Sequence, residues 1–131
     1  MSLLLLFNPA SAFTGDDVWL KALAGTNNVV FSANGGTTVA TWTNALSGTA
    51  PAALALKRDV PNNTVELFVN GVSKGVLTYT VAFPAGAQLR IGATATGKFF
   101  GGPTQHVVAR EGTTTAAEVA AVYEANRYRM W

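Results

Sequence analysis

The side chains able to do chemistry are few, and their spacing sets them apart rather than together. Seven carboxylates are present: Asp16, Asp17, Asp59, Glu66, Glu111, Glu118 and Glu124. Hydrolysis of a glycosidic bond needs two carboxyl groups roughly 5–10 Å apart. On a strand, residues i and i+2 share a face and could supply such a pair. No two acids of this chain stand at that spacing. Asp16 and Asp17 are adjacent in a predicted turn, and Glu66 is a strand carboxylate with no partner in sequence. His106 is the one histidine and there is no cysteine. Zinc needs several His, Cys or carboxylate ligands, so a lone His falls short, and His106 reads as a structural residue of a strand. Gly35-Gly36 and Gly101-Gly102 read as turns or bulges, not as a phosphate-cradling loop. The chain is therefore expected to carry no catalytic residue and no metal site, and not to be an enzyme.

Binding chemistry is better represented. A sugar site would use an aromatic platform with nearby amide or acid groups. Trp19, Phe99 and Phe100 are the candidates for glycan binding. Trp42 stands in an alternating strand and is expected in the core. Phe99 and Phe100 are neighbours, so in extended chain they face opposite ways and one is exposed. The two chain ends are the other candidates, as an assembly interface. Leu3, Leu5 and Phe7 lie in an apolar run, and Arg127, Tyr128, Arg129 and Trp131 close the sequence. Arg, Tyr and Trp are enriched at interfaces, and an exposed terminal Trp is unfavourable unless covered.

These residues must be positioned by short strands. Thr64–Asn70 alternates Val65, Leu67 and Val69 with Glu66 and Phe68, the pattern of a strand with unlike faces. Asn70-Gly71 follows at once, a type I′ hairpin signal because both central residues need positive φ. Val72–Tyr79 is then the return strand. Turn signals recur about every 8–12 residues, as in a β-sandwich. Further strands are predicted at Leu3–Phe7, Val18–Leu20, Asn28–Ser32, Thr37–Thr43, Ala53–Arg58, Gln88–Ala93 and Gln105–Arg110. Near the C-terminus the period changes. Thr115-Ala116-Ala117-Glu118 is a capping box. It opens a helix over about 116–127 with Val119, Val122 and Tyr123 on one face.

Composition sets the outer limits. The 131 residues are expected to form one domain over 1–131. Charged residues make up 12%, about half the usual share, which hints at surface buried against partners. The nine basic residues form no stripe of the kind nucleic acid needs. No run approaches the ~20 apolar residues of a membrane span. Ala10-Ser11-Ala12 resembles a signal-peptidase site, but the apolar run before it is short and lacks a basic start. The expected reading of that run is a buried or inter-subunit strand ended by Asn8-Pro9.

The order of these elements resembles a known family. A strand at Ala53–Arg58, a strand ending in Val69-Asn70-Gly71, a return strand and Leu89-Arg90-Ile91-Gly92 follow one another. Phe99-Phe100-Gly101-Gly102, the strand Gln105–Arg110 and a Thr-x-x-Glu-Val helix with Tyr123 complete the series. Over about residues 53–126 this resembles the laminin-G-like, concanavalin A-like lectin/glucanase domains. The resemblance implies an all-β antiparallel sandwich of the jelly-roll type with one short C-terminal α-helix. Glucanases of this type carry a Glu-x-Asp-x-x-Glu strand, which this chain lacks. Phe68 stands where Tyr is commoner, Thr104-Gln105-His106 stands at an acidic family position, and only about 50 residues precede the match. The resemblance also makes calcium the cofactor to weigh, with Asp16, Asp17 and Asp59 a thin ligand set, so no cofactor is expected.

The MSLLLLFNP start and RYRMW end are similar in style to small bacteriophage virion proteins. The function that follows is a capsid decoration or tail-associated subunit, localised to the virion, working as a homo-oligomer with other virion proteins as partners. Strand addition or exchange through Leu3–Phe7 and anchoring by Trp131 would be its means. The alternative is a carbohydrate-binding, lectin-like module, secreted and bound to a cell-surface glycan.

Overall fold

A computed structural model describes residues 5–8, 18–22, 25–34, 37–48, 52–82, 88–91 and 115–127, with the backbone alone for 5–8, 18, 19, 21 and 88–91. The strands are β1 (Leu5–Asn8), β2 (Val18–Ala22), β3 (Val29–Ser32), β4 (Ala40–Trp42), β5 (Leu54–Asp59), β6 (Thr64–Val69), β7 (Val72–Thr78) and β8 (Gln88–Ile91), and the helix is α1 (Ala116–Asn126). One antiparallel sheet has the order β4-β3-β2-β1-β8, and a second has β5-β6-β7. This is the expected all-β sandwich with one short helix. The predicted strand Gln105–Arg110 and the corner Phe99–Gly102 lie outside the described residues.

The two sheets share one core. Leu20, Val29, Phe31 and Trp42 from the larger sheet meet Leu54, Val65, Leu67 and Val69 from the smaller one. Alternation in β6 sends Val65, Leu67 and Val69 inward. The opposite face is less polar than its sequence implies, because Phe68 is also buried, 1% exposed, outside that cluster. β3 is likewise buried at every position.

Three strand bounds differ from expectation for local reasons. β4 is only Ala40–Trp42, because Asn34 turns the residues before it into a loop. Its Oδ1 accepts from the Thr38 amide at 2.8 Å, and its own carbonyl accepts from the Thr37 amide at 3.2 Å. β1 runs Leu5–Asn8 rather than Leu3–Phe7, and it lies between β2 and β8, paired on both sides. Its backbone groups are thus used within the chain, so strand addition along this segment is closed and the sheet edges fall at β4 and β8 instead. β7 contains a bulge: Leu67 opposes both Lys74 and Gly75, and the register shifts between Glu66 and Phe68. Gly75 takes φ +111, which a side chain would resist.

The Asn70-Gly71 hairpin forms as the sequence predicts, with φ +52 and +77. α1 begins at the predicted capping box. The Thr115 hydroxyl accepts from the Glu118 amide at 3.2 Å, and the Thr115 amide donates to Glu118 Oε2 at 2.8 Å. Thr115→Ala removes the first of these, and a loss of about 1 kcal/mol is expected. Reduced helix content by far-UV circular dichroism and a lower urea midpoint would check it. The expected apolar face is only partly used. Val119 and Tyr123 are half-buried, whereas Val122 is exposed and no residue of α1 is fully buried. The contact to the sandwich is made by Ala120 and Tyr123, which sit on Gly71 at the hairpin tip.

Candidate functional site

The sandwich has two dissimilar ends. One gathers the β3–β4 loop, the β5–β6 turn and the chain after β7. Here Tyr79 is buried between the sheets: its hydroxyl accepts from the Ala33 amide at 2.7 Å and donates to the Thr38 carbonyl at 3.1 Å. Its ring meets Phe31 edge-on at 5.0 Å, and the Arg58 guanidinium lies 5.8 Å from its centroid. Arg58 donates to the carbonyls of Asp59, Thr64 and Val81 at 2.7, 3.0 and 3.4 Å. A guanidinium suits this work because its donors are fixed in a plane and fan out. Neither residue was marked by spacing, since Arg58 reads as an ordinary strand terminus and its partners are backbone oxygens.

Asp59 turns the chain at this end. Its carboxylate accepts from the Asn62 side chain at 2.9 Å and from the Asn62 amide at 3.2 Å. The side-chain bond, then the amide bond, hold Asp59 below its ordinary pKa, aided by Lys57 and Arg58 and opposed by slight desolvation. A depressed folded-state pKa gives stability that is present above the unfolded value and lost as pH falls through the folded one. Acid titration should therefore loosen the 59–63 turn below the ordinary aspartate range. Asp59→Asn should abolish that pH dependence, read from the Asn62 and Asn63 amide resonances.

The opposite end holds the β2–β3 turn, the β4–β5 loop and the β6–β7 hairpin tip with α1 beside it. Asparagines organise it. Asn28 Oδ1 accepts from the Asn44 amide at 2.9 Å, and the Leu46 amide donates to the Asn27 carbonyl at 2.9 Å. Asn70 Oδ1 accepts from the Ala53 amide at 2.9 Å, and its own amide donates to the Ala53 carbonyl at 2.9 Å. Between these loops is an open concavity of about 250 Å³, lined by Ala45, Ser47, Ala52, Val69, Asn70, Val72 and Lys74. Its floor is apolar and its polar groups are Ser47, Asn70 and Lys74. No carboxylate lines it among the described residues. Glu66, on the same sheet, accepts from Ser73 Oγ at 2.6 Å and takes no part.

The residues marked by sequence as candidates are not brought together here. The backbone of Trp19 lies in β2 opposite Ser32 and Leu6. Phe99 and Phe100 lie outside the described residues, as do Leu3, Tyr128, Arg129 and Trp131. Leu5 and Phe7 lie in β1, opposite Ile91 and Leu89. Arg127 caps the C-terminus of α1 and pairs with Glu124 at 2.8 Å. Of the calcium ligands weighed, Asp16 and Asp17 lie outside the described residues, and Asp59 is engaged by Asn62. Among the described residues, no three acids, histidines or cysteines gather to hold a metal. Sequence reasoning missed the concavity because its wall residues are ordinary hairpin and loop types. The bulge at Lys74-Gly75 is its one local signal.

No family model and no curated protein matches the chain. Among solved structures, it is similar in fold to the CBM40 carbohydrate-binding module of the Ruminococcus gnavus IT-sialidase. With the module bound to α2,3-sialyllactose the TM-score is 0.53 at 20% identity, covering 71% of this chain and 55% of that one. For the module described without that ligand the TM-score is 0.52 at 19% identity, with the same coverage. This chain thus spans about half the length of those structures. The likeness establishes a β-sandwich lectin-type fold.

Proposed function

We propose that this protein is a non-catalytic carbohydrate-binding module and that the concavity between the β4–β5 loop and the β6–β7 hairpin is its sugar site. The observation that carries this reading is the composition of the concavity. Ser47, Asn70 and Lys74 stand around an apolar floor of Ala45, Ala52, Val69 and Val72. A pyranose presents the matching surface, hydroxyls at its rim and C–H groups on its face. The volume is below the roughly 300–1,000 Å³ of sites for drug-sized ligands, which suits one sugar unit. The fold supports the reading, since the similar solved structures are of a carbohydrate-binding module. The virion-assembly reading has no corresponding support. It rests on chain-end residues that are mostly outside the described ones, and its strand-addition route through β1 is closed by β2 and β8.

A glycan array probed with the full chain, followed by NMR titration of each hit, tests the proposal. Saturable binding to one sugar class is expected, with shift changes at Ser47 and Val69–Lys74. An array without a hit, or shift changes confined to the Tyr79 end, would overturn it.

A further inference from the structure

We infer that the concavity selects an acidic sugar, one bearing a carboxylate or a sulfate; this rests on the carbohydrate-binding reading above. Three of its wall groups have hydrogen-bonding capacity left over. Asn70 spends its carbonyl oxygen on the Ala53 amide, which fixes the carboxamide and leaves the Nδ2 donors without a partner among the described residues. The Ser47 hydroxyl and the Lys74 ammonium likewise have none. The site is therefore rich in donors and holds one full positive charge. With no carboxylate among its described lining, nothing there offsets that charge.

The placement of Lys74 is built into the strand. Val72 and Lys74 are two apart in β7 and share a face. The extra residue opposite Leu67 ends that alternation directly after Lys74, with Gly75 at φ +111. A bulge re-aims the side chains beside it. Here it leaves Lys74 on the concavity wall while Gly75 turns its carbonyl to the Trp42 indole, 2.9 Å away. Ser73 Oγ accepts from the Gly75 amide at 3.2 Å and donates to Glu66, which occupies the nearby carboxylate. Lys74 thus has no internal counter-ion, and an anionic sugar would supply one. Ser47 and Asn70 Nδ2 would donate to the same acid group or to the neighbouring ring oxygens.

Three probes that share a neutral core separate the outcomes: lactose, sialyllactose and 3′-sulfated lactose, titrated into the full chain at low and high salt. Both acidic sugars should bind with shift changes at Ser47, Asn70 and Lys74, and a carboxylate-only or sulfate-only response would identify the group. Lys74→Gln should weaken acidic-sugar binding about tenfold, the scale of a hydrogen bond to a charged group. Raised salt should weaken it as well. Lys74 is exposed, so the variant should keep the wild-type urea midpoint. Lactose binding as tightly as the acidic sugars, or Lys74→Gln leaving acid binding unchanged, would overturn this inference while the carbohydrate-binding reading stands. Absence of binding by all three probes, and by every glycan of the array, would overturn both.

Discussion

Gly71→Ala is expected to destabilise the protein by about 2–4 kcal/mol, from two separate costs at one residue. The first is conformational. Gly71 holds φ +77, and an L-residue in the left-handed region loses about 1–2 kcal/mol. The second is steric. A Cβ at this position would lie 3.0 Å from Tyr123 Cδ1 and 3.3 Å from both Tyr123 Cβ and Ala120 Cα. The tyrosine ring could swing aside, but the helix backbone at Ala120 could not without α1 moving. Overpacking of this kind costs about 1–3 kcal/mol. The two costs are separable. Tyr123→Ala removes most of the clash and none of the φ penalty, so Gly71→Ala should cost less in that background. The difference is the coupling energy of the hairpin tip to the helix, read from urea midpoints over the four proteins of a double-mutant cycle. Equal costs in both backgrounds would mean that the helix does not press on the turn. Because Asn70 lines the concavity and adjoins Gly71, undocking α1 should also disturb Asn70 and Ala53 amide shifts.

That hairpin shows which parts of the fold could be read from residues. Asn70-Gly71 announces its turn because the backbone there demands positive φ, a local requirement written in two adjacent residue types. Thr115 and Glu118 announce the helix start for the same reason, since a cap is closed within four residues. The inward set Val65, Leu67 and Val69 is equally plain, because one strand alternates with itself. Features that depend on distant partners were not legible. Phe68 has the alternation of an outward residue yet is buried, because something beyond its own sheet covers it. β1 reads as an apolar strand, but its interior place between β2 and β8 depends on residues some ten and eighty positions away. The concavity is the extreme case. Its lining comes from two loops and a hairpin, and Ser47, Asn70 and Lys74 are types found on any surface. A bulge decides where Lys74 points, and a bulge is a mismatch between two strands that neither strand shows alone.

Tyr79→Phe isolates the latch at the other end. The substitution keeps the ring, so the edge-on contact with Phe31 and the stacking of Arg58 should persist. It removes one oxygen that serves two backbone groups of the β3–β4 loop. The Ala33 amide, at a residue 2% exposed, would lose its 2.7 Å acceptor. An unsatisfied buried donor costs about 1–3 kcal/mol, more than the net worth of an ordinary hydrogen bond. The Thr38 carbonyl is exposed to water by comparison and should lose little. A total loss of about 2–3 kcal/mol is therefore expected, and it should be local in origin. Hydrogen exchange distinguishes this from general loosening of the core. The Ala33 and Thr38 amides should lose protection first, while those of Val65, Leu67 and Val69 should fall only with global stability. Sugar binding at the far concavity should keep its affinity in the folded fraction. No residue lining that concavity takes a hydrogen bond from the Tyr79 hydroxyl, and the two ends are joined only through the shared core. A fall in glycan affinity in Tyr79→Phe, at a temperature where the variant is fully folded, would show that the loop at one end sets the shape of the site at the other.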